Sequence, residues 1–365
     1  MLSFVAVMVM MGSSASADTQ PEYCETGGPQ LWANLDACGW PGPRNTGYRA
    51  GTVLTDTRGR TVTADNTVIE GERIRGRLIV RATNVTIRNS FISWDGGGVS
   101  GRGVIVIAPG ASATVDHVEI DGLNRTHACI WHEGTAATVS AIDCHGVNDG
   151  VFAWGSSPTA GDNLTVRDSY FHGFTTNAAN GHIDGVQTEG ASHGRIIHNT
   201  FDMPAHATSA VAIWNSLRSS DDWTIAANLF TGAGFTLYAQ DYSGPRSASA
   251  KENVASSAAG GHAVTNIRFL GNRFSTSQYP HGAANHSRCV GVWGPWFFRG
   301  RWPPYFGGPT DLWNVGGSLR SGNVVLETGQ NIDRGGPDGC EGANTRLAAP
   351  AGPIRRPTAA PPASR

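Results

Sequence analysis

Ser169-Tyr170-Phe171, Asn199-Thr200-Phe201, Asn228-Leu229-Phe230 and Asn272-Arg273-Phe274 are copies of one short strand end. Each places a small polar or amide residue two positions before a phenylalanine. Ser90-Phe91-Ile92 is an earlier copy, and Val118 to Ile120 and Ile142 to Cys144 are weaker members. The closing residues Ile92, Ile120, Cys144, Phe171, Phe201, Phe230 and Phe274 are separated by steps of 28, 24, 27, 30, 29 and 44 residues. A recurring step of this size, with strands of period two and Asn at a fixed place, signals a parallel β-solenoid.

One such unit has too little apolar surface to fold alone. Stacking buries the inward side chains as continuous columns, with successive strands about 4.8 Å apart. One column would hold the seven closing residues above. The amides of Asn199, Asn228 and Asn272 would form a second, each bonding the turn and its neighbours above and below. A coil of this length fits three short strands and three turns, the right-handed parallel β-helix class.

Composition agrees. Gly is frequent at 48 residues and charged residues make up only 15% of the chain, which suits a coil that turns every few residues. The formal net charge of −2 gives no reason to expect nucleic acid or an anionic membrane as partner. The continuous repeat argues for a single elongated, all-β domain and a monomer. Residues 1–17 read as a secretion signal, with an apolar run from Leu2 to Met11 and Ala15-Ser16-Ala17 before Asp18. No Lys or Arg precedes that run, and it is too short to span a bilayer. Residues 18–62 read as a loop-rich N-terminal cap and 63–275 as the coils. Residues 276–345 read as a last coil with an aromatic-rich cap, and 346–365 as a disordered Pro/Ala-rich tail. Six cysteines fit an extracellular, oxidising compartment. Proximity pairs Cys24 with Cys38, Cys129 with Cys144 and Cys289 with Cys340, among 15 arithmetic possibilities.

The chemistry concentrates on the second strand of each coil. Aligned, these read Val104 to Ile107, Cys129 to His132, Val151 to Trp154, Val186 to Glu189, Val211 to Trp214 and Thr236 to Ala239. Period two then turns the second and fourth members outward. The fourth members are Ile107, His132, Trp154, Glu189, Trp214 and Ala239. A carboxylate between indoles on neighbouring coils suits a sugar cleft, since aromatic faces stack on sugar rings and the carboxylate serves as acid, base or metal ligand. His132, Trp154, Gln187, Trp214 and Tyr238 are therefore the substrate-binding candidates.

Asp149-Gly150-Val151 and Asp184-Gly185-Val186 occupy equivalent places on adjacent coils, which brings their carboxylates to about 5 Å. That separation matches a retaining glycosidase pair of roughly 5 to 5.5 Å, a shared proton, or a calcium ion held by Asp149 and Asp184. Asp-Gly is also an ordinary turn dipeptide. Nine of the twelve histidines lie between His117 and His206. His145 and His172 share a column, and His127, His132 and His182 sit close by. Asp149, Asp184, Glu189, His182, His145 and His172 are the catalytic candidates. No cofactor is required by this set, and no zinc-type spacing is present.

The run from His182 through Ile196-Ile197-His198-Asn199-Thr200-Phe201 resembles the pectate-lyase-like β-helix superfamily, in which Asp-Gly turns and an N-x-F strand end recur. The resemblance covers residues 63 to 275. It implies the fold and a secreted, carbohydrate-active protein, but the superfamily holds lyases, hydrolases, epimerases and tailspikes. The chain departs from its main subfamilies. It has one lysine, Lys251, no Arg in the outward column, and neither the Gly-His-Gly and Arg-Ile-Lys motifs of polygalacturonase-like hydrolases nor the Asp-Pro-His of mannuronan epimerases. Three readings follow. The favoured one is a hydrolase acting on an extracellular polysaccharide or oligosaccharide. The alternatives are a polysaccharide lyase, calcium-assisted on a uronate glycan, and a glycan-binding surface protein without catalysis. Few basic groups near the acidic strip favour a neutral or weakly charged glycan.

Overall fold

The computed structural model of the protein describes residues 20–96, 98–175, 181–241, 262–277, 290, 294–300, 310–311, 313 and 316–333. The stretch expected to be a secretion signal, the Pro/Ala-rich tail, Cys289, Cys340 and most of the aromatic-rich segment lie outside these residues. The fold is all-β, with two short helices near the N-terminus. Among the described strands every pairing is parallel except that of Gly294–Gly300 with Thr310–Asp311. No helix among the described residues is long and apolar enough to cross a membrane.

Each repeat adds one strand to each of three parallel ladders. The first ladder carries the strand ends that open the sequence reading. In it Ile92 pairs with Ile120, Ile120 with Cys144, Cys144 with Phe171, and Phe171 with Phe201. Phe201 then pairs with Phe230, Phe230 with Phe274, and Phe274 with Val325. All of these side chains are buried. The rings stack at centroid distances of 4.8 Å for Phe171 on Phe201, 5.0 Å for Phe201 on Phe230 and 5.6 Å for Phe230 on Phe274. Each ring is close-packed between its neighbours, so the column resists any change of volume.

The amide column stands beside it. The Asn228 Oδ1 accepts the Asn199 backbone N–H at 2.8 Å and its Nδ2–H at 3.0 Å, while the Asn228 Nδ2 donates to the Ile196 carbonyl at 2.9 Å. Asn272 repeats this geometry toward Asn228, and Asn323 repeats it toward Asn272. Asp333 ends the run by accepting from the Asn323 amide at 2.7 Å. At the other end Ser169 donates its backbone N–H to Asn199 Oδ1 at 3.0 Å. Every buried donor in the column therefore meets an acceptor, which a buried polar stack requires.

The second ladder carries the candidate site residues. It runs through the ends of the strands Glu72–Val80, Gly98–Ile107, Ser112–His132 and Asp143–Trp154, then Asp184–Glu189, Ser209–Trp214, Phe235–Asp241 and Gly294–Gly300. The third carries Leu164–Arg167, Gly194–Ile197, Ser220–Ala226 and Val264–Leu270 among others. Its Val166, Ile196, Ile225 and Phe269 point into the same core.

Two disulfides close within the described residues. Cys24–Cys38 staples the helices Tyr23–Thr26 and Pro29–Ala33 to the short turn Asp36–Cys38. This segment packs Leu31 and Leu35 against Tyr170, Leu229 and Leu326, and Trp32 donates to Ser275 Oγ at 3.2 Å. It thus lies across successive strands of the first ladder. Cys129–Cys144 is fully buried and ties adjacent repeats together inside the core. Trp296 and Trp313 from the aromatic-rich segment are buried around Phe269.

Candidate active-site groove

Steric limits behind the strand turn the two Asp-Gly pairs outward. A Cβ on Gly150 would sit 2.8 Å from the Phe171 ring, and one on Gly185 would sit 2.6 Å from the Phe201 ring. Only glycine fits against the phenylalanine column, so Asp149 and Asp184 lie on the outer side of the bend. Asp149 pairs with Asp184, and Asp184 with Ser209. Five residues on, Trp154 pairs with Glu189, and Glu189 with Trp214. Glu189 is therefore flanked by an indole one strand above and one strand below, about 4.8 Å away along the ladder. Between these rows lies a third, in which Trp131 pairs with Phe152, Phe152 with Gln187, Gln187 with Ala212, and Ala212 with Tyr238.

The carboxyls sit in a defined network. Asp149 Oδ1 accepts the Asp184 backbone N–H at 3.0 Å and the Asn148 amide at 3.0 Å. Its Oδ2 lies 2.9 Å from His127 Nε2. Asp184 Oδ1 accepts from Ser209 Oγ, while its Oδ2 is buried without a protein partner. Burial, and then the negative charge of Asp149, push the Asp184 carboxyl well above the usual carboxylate range. Glu189 accepts from Ser216 Oγ and, at 3.4 Å, from Gln187 Nε2. Burial outweighs these two bonds and raises its pKa as well. Glu189 retains 8% exposure, against 1% for Asp149 and 0% for Asp184, so it is the carboxyl nearest solvent.

Aromatic side chains line both sides. Trp131 lies 4.4 Å from Phe152 and 5.6 Å from Trp154, ring centre to ring centre. On the far side Trp214 lies 5.5 Å from Tyr238 and 5.1 Å from the exposed His182. His127 contacts both Trp131 and Phe152 at 5.4 and 5.7 Å. Trp131, Trp154 and Trp214 are all part-exposed, yet the indole N–H groups of Trp131 and Trp214 are buried without a protein acceptor. Asp184 Oδ2 and Asn148 Oδ1 add two more unpaired buried atoms in the same groove.

Several expected positions move. His132 is not in the outward row. It pairs with Ala153 rather than Trp154, is fully buried in the core side of the ladder, and bonds the Asp162 carbonyl at 3.0 Å through Nε2. Burial lowers its pKa to about 4. The register shift between Asp121 and Thr126 adds residues to this repeat, so Ile130 and His132 face inward and Trp131 takes the outward place. The same one-residue slip affects two other strands of the alignment. Ile105 and Ile107, and Leu237 and Ala239, face the core, while Tyr238 lies in the outer row. Trp131 is thus an outer-row residue that the alignment turned inward, and Phe152 and His127 stand beside it though neither was singled out as a site candidate.

His145 and His172 do stack, at 5.2 Å. Their charged contacts are with a different group of side chains. His145 lies 3.6 Å from both Glu119 and Asp121, and His172 lies 2.7 Å from Asp143. Burial disfavours the His145 imidazolium, but Glu119, Asp143 and Asp121 together outweigh burial and raise its pKa. Among the described residues no group of three or more His, Cys, Asp or Glu side chains is arranged to hold a metal ion. Asp149 and Asp184 also fit calcium poorly: three of their four oxygens are already bonded within the protein, and calcium takes 6–8 oxygen ligands.

No family model matches the chain, and no curated protein matches it.

Proposed function

We propose that the three ladders wind as a right-handed parallel β-helix of the pectate-lyase-like kind, and that its second face is the cleft of a secreted glycan-cleaving enzyme, a hydrolase. The observation that carries this reading is the Trp154–Glu189–Trp214 row. It sets a carboxyl of raised pKa between two part-exposed indoles. Sugar rings stack on the indole faces, and burial shifts the carboxyl toward its protonated form, the form a general acid needs to protonate a glycosidic oxygen. Gln187 and Ser216 hold that carboxyl in place.

A candidate base stands toward the other end of the same face, five to six residues from the Glu189 row. His127 is part-exposed, borders the aromatic row, and is held by the Asp149 carboxylate, which stabilises the imidazolium that proton uptake would form. Asp184, buried and bonded to Ser209, fixes Asp149 through its backbone N–H and acts as a positioning residue. The Asp149–Asp184 pair is thus a support for this face of the ladder in this reading, and Glu189 is the catalytic acid.

The same His127–Asp149 pair favours a second reading, β-elimination with His127 as the base. Products separate the two. The purified protein is offered a panel of neutral and acidic polysaccharides. New reducing ends without an ultraviolet-absorbing unsaturated uronate identify a hydrolase, and reducing ends with it identify a lyase. Binding without any new ends leaves only a glycan-binding protein and rejects catalysis. The two disulfides fit the oxidising compartment that a secreted enzyme meets.

A further inference from the structure

The outer row of the second ladder continues past the aromatic side chains toward the N-terminus. Trp131 pairs with Val106, and Val106 with Ile79. Around these two aliphatic residues lies a groove of about 620 Å³ lined by Arg77, Arg81 and Arg102 together with Ala108 and Pro109. The three arginines flank the row rather than stand in it, which is why a column-by-column alignment of the sequence shows no cation there.

Their surroundings are specific. The Arg77 guanidinium lies over the Trp94 ring at 3.9 Å, and its Nε is buried without an acceptor. Arg102 lies 6.0 Å from the Trp131 ring and bonds the buried Glu133 carboxylate at 2.6 Å. Glu133 neutralises one of the three cations. Among the described residues, Arg77 and Arg81 face no carboxylate. Burial and the Arg102 charge both disfavour the charged Arg77, so these guanidiniums stand close enough to repel. Arg77, a planar guanidinium stacked on an indole and paired with no carboxylate among the described residues, is pre-organised to receive a bidentate oxyanion, with Arg81 further along the same groove.

From Val106 to Gln187 is three strands, roughly 14 Å along the ladder. The basic groove, the aromatic row and Glu189 thus lie in order on one face. From this juxtaposition we infer that the Arg77–Arg81–Arg102 groove binds an anionic substituent, carboxylate or sulfate ester, on a glycan chain lying along that face, several sugars away from the bond at Glu189. This rests on reading the groove as a glycan cleft. It revises the neutral or weakly charged substrate expected from the sequence.

The test uses the full chain carrying Glu189→Gln, which keeps the chemistry from consuming the ligand. Its affinity is measured by titration calorimetry for a uronate polymer, a sulfated polymer and a neutral polymer, at low and at raised salt. The expected result is tighter binding of an acidic polymer, weakened by salt, and lost by about tenfold for each arginine replaced in Arg77→Gln and Arg81→Gln. Neutral polymer should bind alike to all variants. Preference for the uronate polymer assigns the carboxylate, and preference for the sulfated polymer assigns the sulfate ester. Arg81 is exposed, so Arg81→Gln alone decides the matter if Arg77→Gln is unstable. Acidic and neutral polymers bound equally, with no effect of either substitution, would overturn the inference. That outcome would leave the cleavage reading intact if Glu189→Gln still abolished product release by the otherwise native protein. Conversely, arginine-dependent binding with undiminished cleavage by Glu189→Gln would keep the anion site and reject the catalytic role.

Discussion

Replacing Asn228 by Ala tests the amide column at its centre. The side chain makes four hydrogen bonds: it donates to Ile196 O and Asn272 Oδ1, and accepts the N–H and the Nδ2–H of Asn199. After truncation, the Asn199 amide still reaches Val166 O at 3.0 Å, and Asn272 Oδ1 still accepts the Asn228 backbone N–H at 3.0 Å. The Asn199 backbone N–H is left buried and unpaired. One orphaned buried donor costs about 1 to 3 kcal/mol, and each of the three other lost bonds is worth roughly 1 kcal/mol, so a loss of about 4 to 6 kcal/mol is expected. Urea unfolding followed by circular dichroism, with the disulfides intact, would report it as a lower midpoint at an unchanged m value. Asn228→Asp restores both acceptor bonds but sets an oxygen against Ile196 O and Asn272 Oδ1. It should be no better at neutral pH and should recover partly in acid, where the carboxyl becomes a donor. A loss below about 1 kcal/mol for Asn228→Ala, the size of an ordinary surface substitution, would refute the claim that this column holds the strands in register.

His132 is neutral in the folded chain because burial lowers its pKa to about 4 from 6.5. The unfolded chain binds the extra proton between these values, so stability is full above pH 6.5 and falls by up to about 3 kcal/mol as pH drops to 4. His132→Gln should flatten that slope in urea midpoints measured across the window, and an unchanged slope would contradict the buried placement. Asp184 has the opposite sign. Its raised pKa means that the folded chain holds a proton the unfolded chain releases, so stability declines as pH rises from the ordinary carboxylate range toward the folded value. Asp184→Asn should therefore gain stability relative to the wild type at neutral pH and lose that advantage in acid, and a difference between the two proteins that does not grow from acid to neutral pH would contradict it. Peptide mapping without reduction should recover Cys24 joined to Cys38 and Cys129 joined to Cys144, and alkylation of any of the four in the native protein would contradict the pairings.

The first ladder was legible because its positions tolerate few residue types. A column that stacks ring on ring and amide on amide must repeat Phe and Asn, so Phe171 to Phe274 and Asn199 to Asn272 announce their own register. Asn323 extends the amide column but precedes two valines instead of an aromatic, and it escapes a search for N-x-F. The second ladder was legible only where inward and outward residues differ in polarity. Val186-Gln187-Thr188-Glu189 alternates sharply, and its rows fall where the sequence placed them. In Cys129-Ile130-Trp131-His132 and Thr236-Leu237-Tyr238-Ala239 both faces are apolar enough that period two has no phase. A slip of one residue then exchanged His132 for Trp131. The spacing of Asp149 and Asp184 was readable, but their burial was not, since it depends on Ser209 and His127 from neighbouring strands. The arginine groove was hidden for a similar reason: its three members come from residues beside the row on two strands.

The central claim is that Glu189 donates the proton in glycosidic cleavage. Its most direct test is the rate of reducing-end release by the wild type and by Glu189→Gln on the glycan the panel identifies, with folding of the variant checked by its urea midpoint. Loss of a general acid removes roughly 10²- to 10⁴-fold in rate, and the account predicts a loss in that range on substrates whose leaving group needs protonation. It further predicts near-normal rates on a substrate with a strongly acidic leaving group, which needs no proton. A variant that cleaves the natural glycan at the wild-type rate would contradict the account.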